Sequence, residues 1–320
     1  MSTLSVISPA YNQEDWIIPF LNSLARQTWS DFDFIIIDDG STDCTAELIE
    51  ALLPRFVQPT QFIRHEKNQG QMTTVTQAFA RATGEICVKL DADGVFGPDT
   101  LAKIMDTFTC DEQVGIVTAI VKAADRSTWV SRGTEVLCAA QQRLSQVDDT
   151  YTTIAYGNCF AFRRHIFTEE EILSRTDVDL SHLARKRGWK IALRKDTTIH
   201  TRFPTSCSEA FAWGRRKART DLLTYWHHKE TLLTKWTSWA RFAPLGLGLA
   251  ALLRPKLALL GLLGWFGAGQ LFLARLAPNH PLSDRLAGWM ITLVRWTGFD
   301  FEVLLTAGRA LSTKHRVSKR

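Results

Sequence analysis

The sequence predicts an α/β protein: a mostly parallel central sheet with helices on both faces, followed by apolar C-terminal helices associated with a membrane. Three observations predict it. Over residues 1–125, short apolar runs alternate with stretches of helical periodicity joined by short links, which implies parallel strands and right-handed crossovers. Clusters of polar and acidic residues follow three of those runs, where ligands bind in such sheets. From Arg241 onward the composition turns apolar.

Leu4–Ser8 (LSVIS) reads as the first strand. Asp15–Gln27 reads as a helix, with Trp16, Ile17, Phe20, Leu21 and Leu24 at helical spacing and Pro19 near the first turn. Phe32–Ile37 is a buried-strand run. Ser41 or Asp43 can cap a helix reaching Leu53. Gln61–Arg64 is a short strand, Gln71–Ala82 a helix stopped by Gly84, and Glu85–Leu90 a strand. Pro98–Phe108 is a helix with proline at its start, and Val114–Val121 another strand. Residues 127–193 are less regular. Within them, a helix from about Asp179 to Arg187, stopped by Gly188, precedes a short strand.

The C-terminal third reads differently. Phe242–Leu253 is apolar but short, and Arg254-Pro-Lys256 interrupts it. Leu257–Ala274 has the minimal length of a spanning helix, with Gln270 as its one strongly polar side chain. Leu286–Gly308 is amphipathic. Seven of the 11 tryptophans lie at or after Trp213, as in an interfacial belt. Basic residues flank Leu257–Ala274 on both sides, so no orientation follows, and re-entrant or interfacial helices are favoured over spanning ones. The expected domains are 1–220, divided at 125 into nucleotide-side and acceptor-side halves, and a helical region 221–320.

Composition narrows the function. The chain has 320 residues, 45% hydrophobic and 22% charged, which excludes a disordered chain. The net charge of +5 is uneven: Arg185–Arg219 holds eleven Lys/Arg against Asp196 and Glu209, and Arg309–Arg320 holds five with no acid. An anionic partner is expected. No nucleic-acid motif accompanies the basic residues, so nucleic acid is not the expected partner. Six scattered cysteines lack CxxC spacing, which fits reduced thiols. MSTLSVISPAYN has no basic segment followed by a long apolar one, so the first domain is expected in the cytosol.

The chemistry concentrates in VKLDADG (88–94). Asp91 and Asp93, at i and i+2 after an apolar run, can turn toward one ligand. Hard oxygen donors suit Mg²⁺ or Mn²⁺, and such a pair can clamp a nucleoside diphosphate. Alone, Asp-x-Asp-Gly is more often a turn. No GxGxxG follows the first strand, which disfavours a dinucleotide-binding domain.

Five segments carry a resemblance: 5–27, FIIIDDGSTDCTAELI (34–49), 68–94, YGNCFAFRRHIF (156–167) and TDVDLSHLARKRGWKIAL (176–193). Together they resemble the family 2 inverting glycosyltransferases of GT-A (Rossmann-like) fold, of the membrane-associated bacterial type, over about residues 3–220. The resemblance implies that Pro9, Tyr11 and Asn12 line a nucleotide pocket. It implies that Asp38 or Asp39 binds the base or ribose, Asp39 being the base contact. Asp91 would touch ribose or sugar, Asp93 the metal, and His200 would lie near the metal or diphosphate. Asn68 and Gly70 would shape the loop before a pocket helix. Asp177 matches the catalytic base, with Asp179 the alternative, because Thr176 stands where the family has Glu. The Gln-x-x-Arg-Trp box of processive synthases is absent. Trp213-Gly-Arg-Arg-Lys-Ala-Arg219 stands there instead, with Arg215 and Arg216 as diphosphate contacts.

The implied function is transfer of a sugar from a nucleotide-diphospho-sugar, a UDP-sugar by resemblance. The acceptor would be a saccharide or lipid-linked saccharide, as in surface glycan assembly, at the cytoplasmic face of the inner membrane. Rivals are a polyprenyl-phosphate glycosyltransferase, a sugar-nucleotide pyrophosphorylase, which PAYNQED argues against, and an inactive nucleotide-binding membrane scaffold.

Overall fold

A computed structural model describes residues 3–228 and 255–295. The chain divides into two compact units. The first comprises residues up to Ala124 together with Ser145–Arg202; the second comprises Asp125–Leu144 and the described residues from Phe203 on.

The first unit holds an eight-stranded sheet in the order β3-β2-β1-β4-β7-β6-β8-β5. Its strands are β1 (Leu4–Ala10), β2 (Phe32–Asp38), β3 (Thr60–Arg64), β4 (Ile86–Leu90), β5 (Gly94–Phe96), β6 (Val114–Ala123), β7 (Cys159–Arg163) and β8 (Lys190–Thr201). Its helices are α1 (Ile17–Ala25), α2 (Thr45–Leu52), α3 (Gln71–Arg81) and α4 (Thr100–Cys110). After α5 (Trp129–Ser145) come α6 (Glu169–Ser174) and α7 (Asp177–Lys186).

Alternation along the strands builds two cores. Phe34 and Ile36 of β2 join Val6, Val88 and Leu90 beneath α1, α2 and α4, through Leu21, Ile49, Leu101 and Ile104. Ile35 and Ile37 point the other way and join Ile7, Cys87, Phe160 and Phe162 against α3, α6 and α7, through Phe79, Ile172 and Leu180. A strand buried on both faces must be apolar throughout, and FDFIIID is buried at all seven positions. Helices on both faces are therefore as expected.

The sheet is mixed, with parallel pairings in the majority, β6 with β8 among them. The β3-β2-β1-β4 half is parallel, but β7 runs antiparallel to both β4 and β6, and β5 antiparallel to β8. Apolar runs reveal a buried strand and not its direction. The two unforeseen strands, β5 and β7, each take part in antiparallel pairings.

In the second unit, α5 packs with α8 (Cys207–His228), α9 (Pro255–Leu276) and the helical stretch 282–295. Among the described residues no helix is long and apolar enough to cross a membrane, which corrects the spanning option for Leu257–Ala274. That stretch lies in α9, whose Leu273 is buried with Val136, Ala140, Ala277 and Trp289 in a core of the unit's own. The apolar face there packs on protein. Phe242–Leu253 and residues 296–308 lie outside the described residues. Arg126 (2.8 Å) and Arg132 (3.0 Å) both bind the buried Asp284 carboxylate, tying α5 and the segment before it to the stretch 282–295.

Candidate active site

Because β1, β2 and β4 are parallel, their C-terminal ends share one edge: Ala10 pairs with Asp38, and Lys89 with Ile7. The loop after β1 is stitched to the loop after β2. Asn12 adopts a left-handed φ of 52°, which asparagine tolerates better than most residues. Its N–H donates to Ser41 Oγ (2.9 Å), and its Oδ1 accepts from the Thr42 N–H (2.9 Å). Ser41 in turn donates its hydroxyl and its N–H to the buried Asp38 carboxylate. Pro9 is buried in β1, while Tyr11, 42% exposed, stands free at the rim. Gly40, with φ of 72°, leaves no room for a side chain: a Cβ there would come within 2.5 Å of the Lys67 backbone.

Asp39 is buried and heavily used within the protein. His65 Nδ1 (2.8 Å) and the Gln69 N–H (2.8 Å) meet Oδ1, and the Gly70 N–H (2.9 Å) donates to Oδ2. Burial alone would raise its pKa, but the bonds from Gln69, His65, Gly70 and Thr74 outweigh it and hold the carboxyl below its ordinary range. Asp39 therefore pins the 65–70 loop and the N-terminus of α3, where Gly70 is the N-cap with φ of 93°. Asn68 lies exposed in this loop. His65 also reaches Gln77 Oε1 at 2.9 Å, and nothing in the local sequence had singled it out.

The Asp-x-Asp pair follows β4. Asp91 Oδ1 bonds Lys89 Nζ at 2.6 Å and accepts from Gln71 Nε2 at 3.3 Å. Asp93 Oδ1 accepts from the Thr201 hydroxyl (3.1 Å), which itself accepts from Asn158 Nδ2 (3.1 Å). Desolvation first, then the neighbouring Asp91 charge, pushes the Asp93 carboxyl up to about 6, against the pull of Thr201 and Lys89. A carboxylate so under-compensated fits a cation. Among the described residues no three His, Cys, Asp or Glu side chains stand together as a metal cage. This protein would thus supply few ligands to a divalent ion, the rest coming from diphosphate and water. The expected third member, His200, is exposed on β8 opposite Val95; its strand neighbour Thr201 is the residue that meets Asp93.

Asp177 and Asp179 open α7 with different roles. Thr176 is the N-cap: its hydroxyl accepts from the Asp179 N–H, and Asp179 Oδ2 accepts from the Thr176 N–H (3.1 Å). This capping box engages the fully buried Asp179 in closing the helix start. Asp177, half-buried, borders Gly157, and a Cβ built there would lie 3.0 Å from Asp177 Oδ2 and 3.3 Å from Lys89 Nζ. Asp91, Lys89, Gly157 and Asp177 thus form one cluster from the end of β4 and the turn after it, the loop before β7 and the start of α7. Lys89, Gly157 and Thr201 were not foreseen. The one available signal was a lysine inside the apolar run ICVKL. Arg215 (half-buried) and Arg216 (exposed) lie on α8, in the second unit.

The family model for glycosyl transferase family 2 matches residues 5–170, more than half of the chain. The chain belongs to that family. Family 2 relatives include an uncharacterised glycosyltransferase of Nostoc, 37% identical over 117 residues, 36% of this chain and 35% of that protein. A dolichyl-phosphate beta-glucosyltransferase of Dictyostelium discoideum is 37% identical over 102 residues, 28% of this chain and 31% of that one. An undecaprenyl-phosphate 4-deoxy-4-formamido-L-arabinose transferase of Pseudomonas fluorescens is 27% identical over 105 residues, 32% of this chain and 31% of that one. The matched region is thus about a third of each of these three proteins. Among solved structures, a mannosyltransferase of Pyrobaculum calidifontis with GDP-Man and Mn²⁺ aligns with a TM-score of 0.58 at 20% identity, covering 93% of this chain and 87% of that one. TarS 1-349 of S. aureus with UDP-GlcNAc aligns at 0.52 and 17%, covering 94% and 89%. At these identities the likeness is one of fold, that of the GT-A glycosyltransferases.

Proposed function

We propose that this family 2 protein transfers a sugar, with inversion, from a nucleotide-diphospho-sugar to a saccharide or lipid-linked saccharide at the cytoplasmic face of the inner membrane. The observation that carries it is the gathering of Asp91, Asp93 and Asp177 from two distant sequence segments. The loops after β1 and β2 supply the nucleotide side, with Tyr11 and Asn12 at the rim. Asp177 removes the proton from the acceptor hydroxyl as its oxygen attacks the anomeric carbon. The bond from that carbon to the diphosphate oxygen breaks on the opposite face, which inverts the centre. A divalent cation at Asp93, when bound, supplies charge neutralisation for the diphosphate. UDP-sugars and GDP-sugars are both open as donors, since the structural neighbours were solved with one or the other.

A second reading takes polyprenyl phosphate as the acceptor. The relatives named for undecaprenyl-phosphate and dolichyl-phosphate transfer favour it. In that case an ionised phosphate oxygen attacks the anomeric carbon, the diphosphate leaves, and no proton has to pass to Asp177.

The test is calorimetry of the full chain with UDP and GDP, with Mn²⁺ or with chelator, on wild type and Asp177→Asn. Binding of one nucleotide that needs metal, retained in the variant while transfer falls at least 10²-fold, supports the hydroxyl reading. Full transfer in the variant removes Asp177 as base, and no binding by folded wild type sinks the transferase reading.

A further inference from the structure

We propose that Lys89 is a positioning residue for sugar transfer: its ammonium group, set between Asp91 and the loop bordering Asp177, holds the donor-side carboxylate and the base at their working separation. The proposal rests on the transfer reading above. Three observations carry it.

The first is where the lysine sits. β4 is an inner strand, paired with β1 on one side and β7 on the other. Lys89 is its one charged residue, its side chain is only 13% exposed, and the other four residues of the strand are buried. An ammonium group withdrawn from water costs free energy unless it is paired, so a solvated-surface role does not account for it.

The second is what it touches. Nζ bonds Asp91 Oδ1 at 2.6 Å and donates to the Gly157 carbonyl at 2.8 Å. One cation thereby engages a carboxylate just after β4 and the loop before β7. The third donor of the ammonium group remains for a further acceptor.

The third is the space at Gly157. A single point, the place of a missing Cβ, lies 3.3 Å from Lys89 Nζ and 3.0 Å from Asp177 Oδ2. A methyl group there would crowd both side-chain ends, each of which would have to give by a few tenths of an ångström. The small residue thus keeps the cation and the base carboxylate facing each other across an open gap. Without the lysine, nothing would tie the Asp91 carboxylate to the Gly157 loop that borders Asp177.

Three variants of the full chain test this: K89M, K89R and G157A. Binding of UDP and GDP with Mn²⁺ is measured by calorimetry. Turnover is measured as nucleoside diphosphate released from UDP-glucose, UDP-N-acetylglucosamine and GDP-mannose, with water or added polyprenyl phosphate as acceptor. K89M is expected to lower kcat roughly 10²-fold, the cost of an ångström-scale misplacement. Donor KM and nucleotide affinity should change far less than kcat, because the loss falls mainly on the transition state. K89R should recover most of the lost turnover, and G157A should follow K89M. Turnover of K89M near wild type, or a loss confined to KM, overturns the proposal. If K89M does not fold, K89R and G157A carry the same comparison.

Thermal unfolding of the wild type, K89M, D177N and the double variant reads the same couple with no substrate present. Additive effects on stability overturn the proposal whether or not the chain transfers sugar. Non-additive effects, in a wild type inert toward every donor, keep the Lys89–Asp177 couple and sink the transfer reading instead.

Discussion

Asp93 illustrates how a site residue can oppose the fold that holds it. Its carboxyl is raised from 3.8 to about 6, by desolvation and then by Asp91. An acid whose folded pKa exceeds its unfolded value holds its proton more tightly when folded. Its contribution is therefore most favourable below pH 4 and is lost as pH rises from about 4 to about 6. Asp93→Asn should accordingly stabilise the ligand-free protein at pH 8, by about 2 kcal/mol allowing for partial exposure, and leave it unchanged at pH 4. Denaturant melts at the two pH values measure this; equal effects at both would show that Asp93 is ionised at no cost. The same variant should lose the Mn²⁺ dependence of nucleotide binding, so stability and binding move in opposite directions. At this scale the sequence exposed the acids and hid their partners. Asp91, Asp93 and Asp177 were readable because Asp-x-Asp and Thr-Asp are local patterns. Lys89 meets Gly157 across 68 positions of chain and Thr201 meets Asp93 across 108, and no local pattern marks such a contact.

Elements position these residues, and α7 is the clearest case. Its first residue is Asp177, so the proposed base inherits whatever precision the helix N-terminus has. Thr176 and Asp179 supply that precision through reciprocal hydrogen bonds. The threonine in place of the family's glutamate thus has a physical function here: it closes the cap. Thr176→Ala should lower stability by about 1 kcal/mol, the usual cost of losing a capping hydroxyl. Transfer should fall with it, while nucleotide binding, which the proposed function assigns to the loops after β1 and β2, stays intact. An unchanged unfolding midpoint would show that the cap is not what holds the start of α7. Seen by element, the β1–α1–β2–α2–β3–α3–β4 succession was readable almost to its boundaries, because each piece is buried according to its own period. The direction of β7, the three-residue β5 and the long helix α5 were not. A strand of three residues has too little pattern, and strand direction is set by the route of the chain rather than by side-chain burial.

For the whole molecule, the open matter is where the reaction takes place. The second unit leaves large apolar side chains in water: Leu271 is 75% exposed, and Leu263, Phe272, Leu282 and Met290 are exposed as well. Such residues, scattered over a unit with a well-packed core of its own, are free to enter a lipid interface without unfolding anything. The sequence adds charge of the matching sign. Arg309–Arg320 carries five Lys/Arg and no acid, and each basic residue near an anionic surface contributes about 1 kcal/mol, an attraction that salt screens. Neither contribution needs a spanning helix. The full chain should therefore sediment with vesicles containing anionic lipid at low salt and dissociate in large part at 0.5 M salt, a level at which the Debye length is only about 4 Å. A Leu271→Glu/Phe272→Glu variant should bind more weakly at every salt concentration, because it removes the apolar part and adds repulsion, while the salt sensitivity of what remains persists. If wild type ignores anionic vesicles at low salt, the acceptor must reach the site from solution, and the lipid-linked acceptor loses its physical support.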